Sequence, residues 1–204
     1  MIILGSITLF KECKVIEERI EVIFSTLDED GRPNFAPMGV TWGEKELIVC
    51  PFRNTDTYRN LMTTGCGVAN VTDNVLLFAQ SALSDPIFSH FDARQVRSVV
   101  LKDVCYWREV IVTEVGGGDM QAEIRCRVVG EGWQRDFLGF NRAKNAVIEA
   151  TILATRLHLH DQAEVQATYR QYQKIVDKIG GDQEREAMRY LCDYVRRWAV
   201  ARAH

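Results

Sequence analysis

The sequence predicts an α+β protein: a barrel-like β region over roughly the first two-thirds of the chain, followed by three helices. Three observations carry this. Up to about residue 137, apolar residues come in short runs rich in Val, Ile, Thr and aromatics, cut by turn sequences such as "DEDGR" and "GGGD". From 138 onward they recur at three- and four-residue spacing instead. With 204 residues, of which 47% are hydrophobic, there is material for one or two units with a real core, and the expected division is 1–137 and 138–204.

Taken in order, "RIEVIFSTL" (19–27) is β-branched and aromatic and runs into the turn "DEDGR". "NFAPMGVTW" (34–42) follows, then the polar turn "GEKE", then "LIVCPF" (47–52), which together read as a three-stranded meander. "GCGVANVT" (65–72) is a further strand. "NVLLFAQSAL" (74–83) is apolar too densely for clean alternation and fits a short buried helix. Residues 84–103 show no period and read as a long connection, of a length that in compact domains often serves function. "VCYWREVIVTEV" and "MQAEIRCRVVGEG" flanking "GGGD" predict a β-hairpin.

Three helices close the chain. In 141–159, Ala143, Ala146, Val147, Ala150, Ala154 and Leu157 share one face. The second helix, 161–181, starts at an Asp suited to cap it and stops at a Gly pair; the third spans 182–203.

Composition excludes several classes of function. A net charge of −3, with no interleaved basic and aromatic stripe, argues against nucleic acid and against an anionic lipid surface. No stretch reaches the apolar length of a membrane span. "MIILGSITLFKECK" has an apolar start but no basic n-region and no cleavage site, so a signal peptide is not expected and a cytoplasmic location is. Cysteines at 13, 50, 66, 105, 126 and 192 form no C-x-x-C pair and no spacing with histidine, so neither a disulfide framework nor a metal site is expected. Without a secretory signal the sequon at 70–72 carries no meaning, His158 and His160 lie two apart and share no helix face for a metal, and no catalytic dyad emerges.

The stretch "PFRNTDTYRNL" (51–61) gathers the chemistry. Thr55 and Thr57 donate hydroxyls, Arg53 offers a forked cation, and Asn60 lies one helical turn beyond Thr57. A helix starting near Asp56 would add free N–H groups and make an anion site. An ordinary capped helix explains the same residues, and Asp56 opposes an anion. In "NFAPMGV", Pro37 and Gly39 interrupt a strand, either at an edge bulge or where a flat ligand approaches the backbone. On the first C-terminal helix, Arg142 and Asn145 fit either a solvated face or a wall meeting an anionic or amide-bearing substrate.

Taken in order, "STLDEDGRPNFAPMGVTW", "NTDTYRNL", "GVANVTDNVLLFAQSAL" and "GFNRAKNAVIEATILATRL" resemble the FMN-binding split-barrel proteins related to flavin reductases. Within that superfamily the likeness is to the branch called domain of unknown function 447, which joins a split β-barrel to a C-terminal helical domain. The resemblance implies FMN as cofactor. Its phosphate would lie at Thr55, Thr57 and Asn60 with Arg53 as charge partner, and its ring against Ala36, Pro37, Met38, Gly39 and Val40. It further implies that Asn70 and Thr72 reach the ribityl chain or ring edge, and that the protein is a homodimer. Function is then expected to be that of an oxidoreductase acting on a small molecule or electron donor, or of a non-catalytic electron carrier or assembly module.

Overall fold

Each strand of the barrel is explained by which of its faces finds cover. The computed structural model describes residues 18–202. Strand β1 (Arg19–Leu27) does not alternate between buried and exposed because both its faces are covered. Val22 and Phe24 point into the barrel, while Ile23 joins an outer cluster with Phe35, Val68, Phe78 and Trp107. Strand β2 (Pro33–Trp42) returns antiparallel to it, and β3 (Glu46–Val49) follows. The third strand stops earlier than "LIVCPF" implied, because the chain turns at Pro51 toward the first helix.

Helix α1 (Asp56–Thr64) is capped by the Thr55 side chain, and it ends where Gly65 takes φ +67°, a left-handed conformation glycine adopts without strain. Strand β4 (Cys66–Val71) and helix α2 (Val75–Leu83) come next. The segment read as an unstructured connection carries a small antiparallel ribbon, β5 (His90–Asp92) and β6 (Val99–Leu101). Val99, Val100 and Leu101 are all buried in the outer cluster. The long hairpin β7 (Tyr106–Gly117) and β8 (Ala122–Trp133) closes an antiparallel barrel in the order β1-β2-β3-β8-β7-β4. The Trp107 indole packs against Gly132 across this hairpin, where a Cβ would stand 2.1 Å from it.

Three helices follow: α3 (Arg142–Thr155), α4 (Gln162–Ile179) and α5 (Asp182–Arg202). α3 is shorter than expected, breaking at Thr155 into a 3-10 turn, Leu157–Leu159. Its small-residue stripe packs as anticipated, with Ala143, Ala146, Val147, Ala150 and Ala154 buried against α4 and α5. Val75 and Ala79 of α2 join this cluster. Lys144 reaches back to Asp73, which also pairs with Arg135, at 2.7 and 2.6 Å. Burial alone would raise the Asp73 carboxyl, but the hydrogen bonds and charges of Lys144 and Arg135 outweigh it and hold it below its ordinary value. Among the described residues no helix is long and apolar enough to cross a membrane. Cys50, Cys66, Cys105, Cys126 and Cys192 are all free thiols; Cys13 lies outside the described residues.

Candidate functional site

The site begins with an incomplete seam. β3 meets β2 only at Thr41 and Trp42, so residues 33–40 have β1 on one side and, among the described residues, no strand on the other. Pro37 belongs to this stretch, where an open edge tolerates a residue without an N–H. Two cavities, of about 410 and 550 Å³, run along that edge and share Pro37, Met38 and Phe52. They form the two ends of one cleft, within the size range of cofactor sites.

The first end is built around the start of α1. Thr55 Oγ1 accepts from the Tyr58 N–H and donates to the Phe52 carbonyl at 2.7 Å, which fixes the helix entry. The N–H groups of Asp56 and Thr57 have no acceptor among the described residues, as first-turn donors do not. Asn54, Thr55, Thr57 and Arg59 line the cavity around them. Arg59 is ion-paired with Asp56 and donates to the Asn54 carbonyl at 3.1 Å, so the Asp56 charge is partly neutralised. Behind this turn the polar groups interlock. Asn34 donates to Thr57, and Asn60 donates to Thr26, each at 3.0 Å. A smaller recess of about 220 Å³ on the other side of Asn34 and Asn60 shares Asp56 and Asp85 with the α1 end, and adds Asp28 against one cation, Arg32, so it is the poorer of the two for an anion.

The floor is β2. Ala36, Pro37, Met38 and Gly39 line the cleft, while Val40 does not: it is fully buried in the barrel interior beside Val22 and Leu47. Gly39 pairs with Glu21 across β1–β2, and a Cβ there would stand 3.1 Å from Glu21 Oε1. Glycine therefore lets the Glu21 carboxylate lie over the strand. Burial, then the charge of Glu149, holds that carboxyl above its ordinary value, and Arg19 offsets this only in part. The roof comes from Phe78 and Ala82 of α2 and from Ile148, Thr151, Ile152 and Thr155 of α3.

Several expected ligands lie elsewhere. Arg53 lines none of these cavities: it donates to the carbonyls of Gly118 and Gly116 and to Tyr58 Oη, and so clamps the β7–β8 hairpin tip. Asn70 is fully buried and fully used, its amide donating to the Ile23 carbonyl and Ser25 Oγ and accepting from the Leu101 N–H. Thr72 accepts from the Asn74 N–H and shapes the turn into α2. Arg142 and Asn145 are exposed and line neither end of the cleft, because the cleft crosses only the later turns of α3. The wall on α3 exists, but it is built one turn further on. Sequence reading missed Asn34, Arg59, Phe52 and Glu21. Arg59 was within reach of the pattern, four residues after the capping Thr55 and in the same polar run.

The arrangement suits an elongated ligand with an anionic group at the α1 end and a flat apolar body along residues 36–39. Models of the family described as Protein of unknown function (DUF447) match the chain in two parts, the N-terminal domain model over residues 20–135 and a second model over 141–193. An uncharacterized protein of Methanocaldococcus jannaschii, MJ1453, is 24% identical over 182 residues, covering 82% of this chain and 93% of that protein. Among solved structures, the FMN-bound protein MM1853 from Methanosarcina mazei is similar with a TM-score of 0.75 and 28% identity, covering 87% of this chain and 95% of that one. The styrene monooxygenase flavin reductase from Pseudomonas putida S12 superposes with a TM-score of 0.50 at 13% identity, over 57% of this chain and 79% of that one, a likeness of fold.

Proposed function

The chain belongs to the DUF447 family, and from that membership we propose that it is an FMN-binding flavoprotein whose flavin serves hydride or electron transfer to or from a small molecule. One observation carries the reading: the two ends of the cleft match the two ends of FMN. The α1 end offers two unused backbone N–H groups, the Thr57 hydroxyl and Arg59, a donor set for a phosphate monoester, with Thr55 fixing the turn that presents them and Arg59 offsetting the charge of Asp56. The β2 floor offers a flat strand in which Gly39 removes a side chain and Pro37 and Met38 supply apolar surface. FMN bound to the Methanosarcina mazei relative supports the same ligand here.

When bound, the flavin would supply the redox chemistry. The chain positions it and excludes water. Asn34 holds Thr57 in place; Met38 and Gly39 would form the floor for the flavin, and Ile148 and Ile152 would keep solvent from the cleft. No side chain is required to carry a proton for hydride transfer, consistent with a cleft whose polar groups sit at its ends.

The test is a visible absorption spectrum of the purified protein followed by FMN titration. Flavin bands, or saturable binding with quenched fluorescence, are expected; a colourless protein that ignores FMN refutes the proposal. Turnover with a reduced nicotinamide then separates an oxidoreductase from a carrier. The reading includes a homodimer, supported by Phe137, Leu138 and Phe140, which are 49, 89 and 96% exposed beside the start of α3. Light scattering would return twice the chain mass.

A further inference from the structure

Glu21 puts a carboxylate on the floor of the cleft. It faces Gly39 across the β1–β2 ladder, where the missing side chain leaves Glu21 Oε1 3.1 Å from the point a Cβ would occupy. Pro37 and Gly39 lie two residues apart on one side of β2, and both line the 550 Å³ end of the cleft with Ile148 and Ile152 of α3. Among the described residues Glu21 has no hydrogen bond and no ion pair, so no neighbour neutralises it at close range. The other charges around it come from three directions. Arg19 shares its strand, Glu149 acts on it from α3, and Arg156 and His158 border the same chamber past the end of that helix. The Glu21 side chain is exposed. A ring lying along residues 36–39 would cover it, and a charge that loses its water acts on its neighbours more strongly.

We propose that Glu21 sets the reduction potential of the flavin, holding it low by placing negative charge against the ring. The proposal rests on the flavin reading and gives the cleft floor an electrostatic task besides its shape. A neutral isoalloxazine that accepts two electrons and one proton carries one negative charge at neutral pH, and a carboxylate beside it disfavours that state. Oxidised flavin has no such charge, so Glu21 costs it little. Burial and Glu149 already hold the Glu21 carboxyl above its ordinary value, and Arg19 offsets this only in part, so these surroundings resist a further negative charge. Glu21 acts through its charge and transfers no proton.

The experiment is reduction of the purified, FMN-supplemented protein by dithionite beside a reference dye, at about pH 8, where glutamate is ionised. Wild type is compared with Glu21→Gln, Glu21→Ala and Glu21→Asp, and affinity for oxidised FMN is measured separately by fluorescence quenching. Both neutral variants are expected to bind oxidised FMN within about threefold of wild type and reduced FMN about tenfold more tightly, a rise of about 30 mV in the two-electron midpoint. Glu21→Asp keeps the charge and stays closer to the wild-type midpoint. Glu186→Gln, on α5 and lining neither end of the cleft, removes the same charge and leaves the midpoint unchanged. FMN binding with an unmoved or lowered midpoint in the neutral variants overturns the role of Glu21 and leaves the flavin reading standing. An equal rise in Glu186→Gln does the same, since net charge then explains it. Loss of FMN from the neutral variants alone also overturns it, because the carboxylate would then hold the cofactor rather than poise it. A wild type that ignores FMN refutes the flavin reading, and the role of Glu21 with it.

Discussion

Asn34 and Thr57 are joined by a 3.0 Å hydrogen bond from Nδ2 to Oγ1, so the beginning of the cleft floor and the first turn of α1 are fastened side chain to side chain. Thr57 is almost wholly buried, and the bond sets how far the helix start stands from β2. Changing Thr55 and Thr57 together to Val removes the cap and leaves the Asn34 amide with only its longer bond to Thr26. FMN affinity is expected to fall at least about tenfold and Tm by a few degrees, given roughly 1 kcal/mol for the cap and about 1 for the lost Asn34 bond. Unchanged quenching titrations would refute the phosphate assignment.

The two arginines of the polar run are expected to part company. Arg59→Gln removes the cation that lines the α1 end and weakens FMN about tenfold, with little effect on Tm because the side chain is exposed. Arg53→Gln removes two hydrogen bonds to the hairpin tip and one to Tyr58 and lowers Tm instead, leaving FMN affinity within about threefold. Paired thermal melts and titrations decide between this ordering and its reverse.

Asn70→Leu places an apolar side chain among the Ile23 carbonyl, the Ser25 hydroxyl and the Leu101 N–H; each loses the Asn70 bond, and of the three Ser25 keeps its bond to the Val99 carbonyl. A loss of about 3 kcal/mol is expected from leaving buried polar groups unmet, readable as a Tm drop of roughly 6–12 °C. FMN affinity measured well below that Tm stays the same.

Asp73 gives the fold an acid limit. Its folded pKa lies below the unfolded value, so its pairing with Lys144 and Arg135 is fully present above the ordinary carboxylate range and is lost as pH falls through the lowered folded value. Wild-type Tm is expected to decline as pH drops below about 4. Asp73→Asn is less stable at neutral pH and shows a shallower acid decline. Lys144→Met destabilises at neutral pH because it leaves Asp73 with one cation in place of two.

The barrel strands and the C-terminal helices were readable because their periods are long and their stop signals local. The Ala-rich stripe of α3 came out residue for residue. The β5–β6 ribbon was not readable: strands of three residues carry no alternation, and their burial depends on Ile23, Phe35 and Trp107, which are distant in sequence. The site divided along the same line. Thr55 and Thr57 declare themselves through a capping pattern, whereas Arg53 and Asn70 have the composition of ligands and spend their donors on the fold. Glu21 gave no signal at all, since its place over the cleft floor comes from a cross-strand glycine.

α2 has a consequence for how the molecule comes apart. Val75 and Ala79 sit in the cluster of the C-terminal helices, while Phe78, between them, sits in the cluster that covers β1; Ile148 of α3 touches both. The sequence passes from strands to helices near residue 138, yet no fault line runs through the energy there. Pulling the helices away would strip the outer side of β1 and open the roof of the cleft in one event. Barrel and helices are therefore expected to melt in one transition, and a ligand held beneath α3 would stabilise strands it never touches.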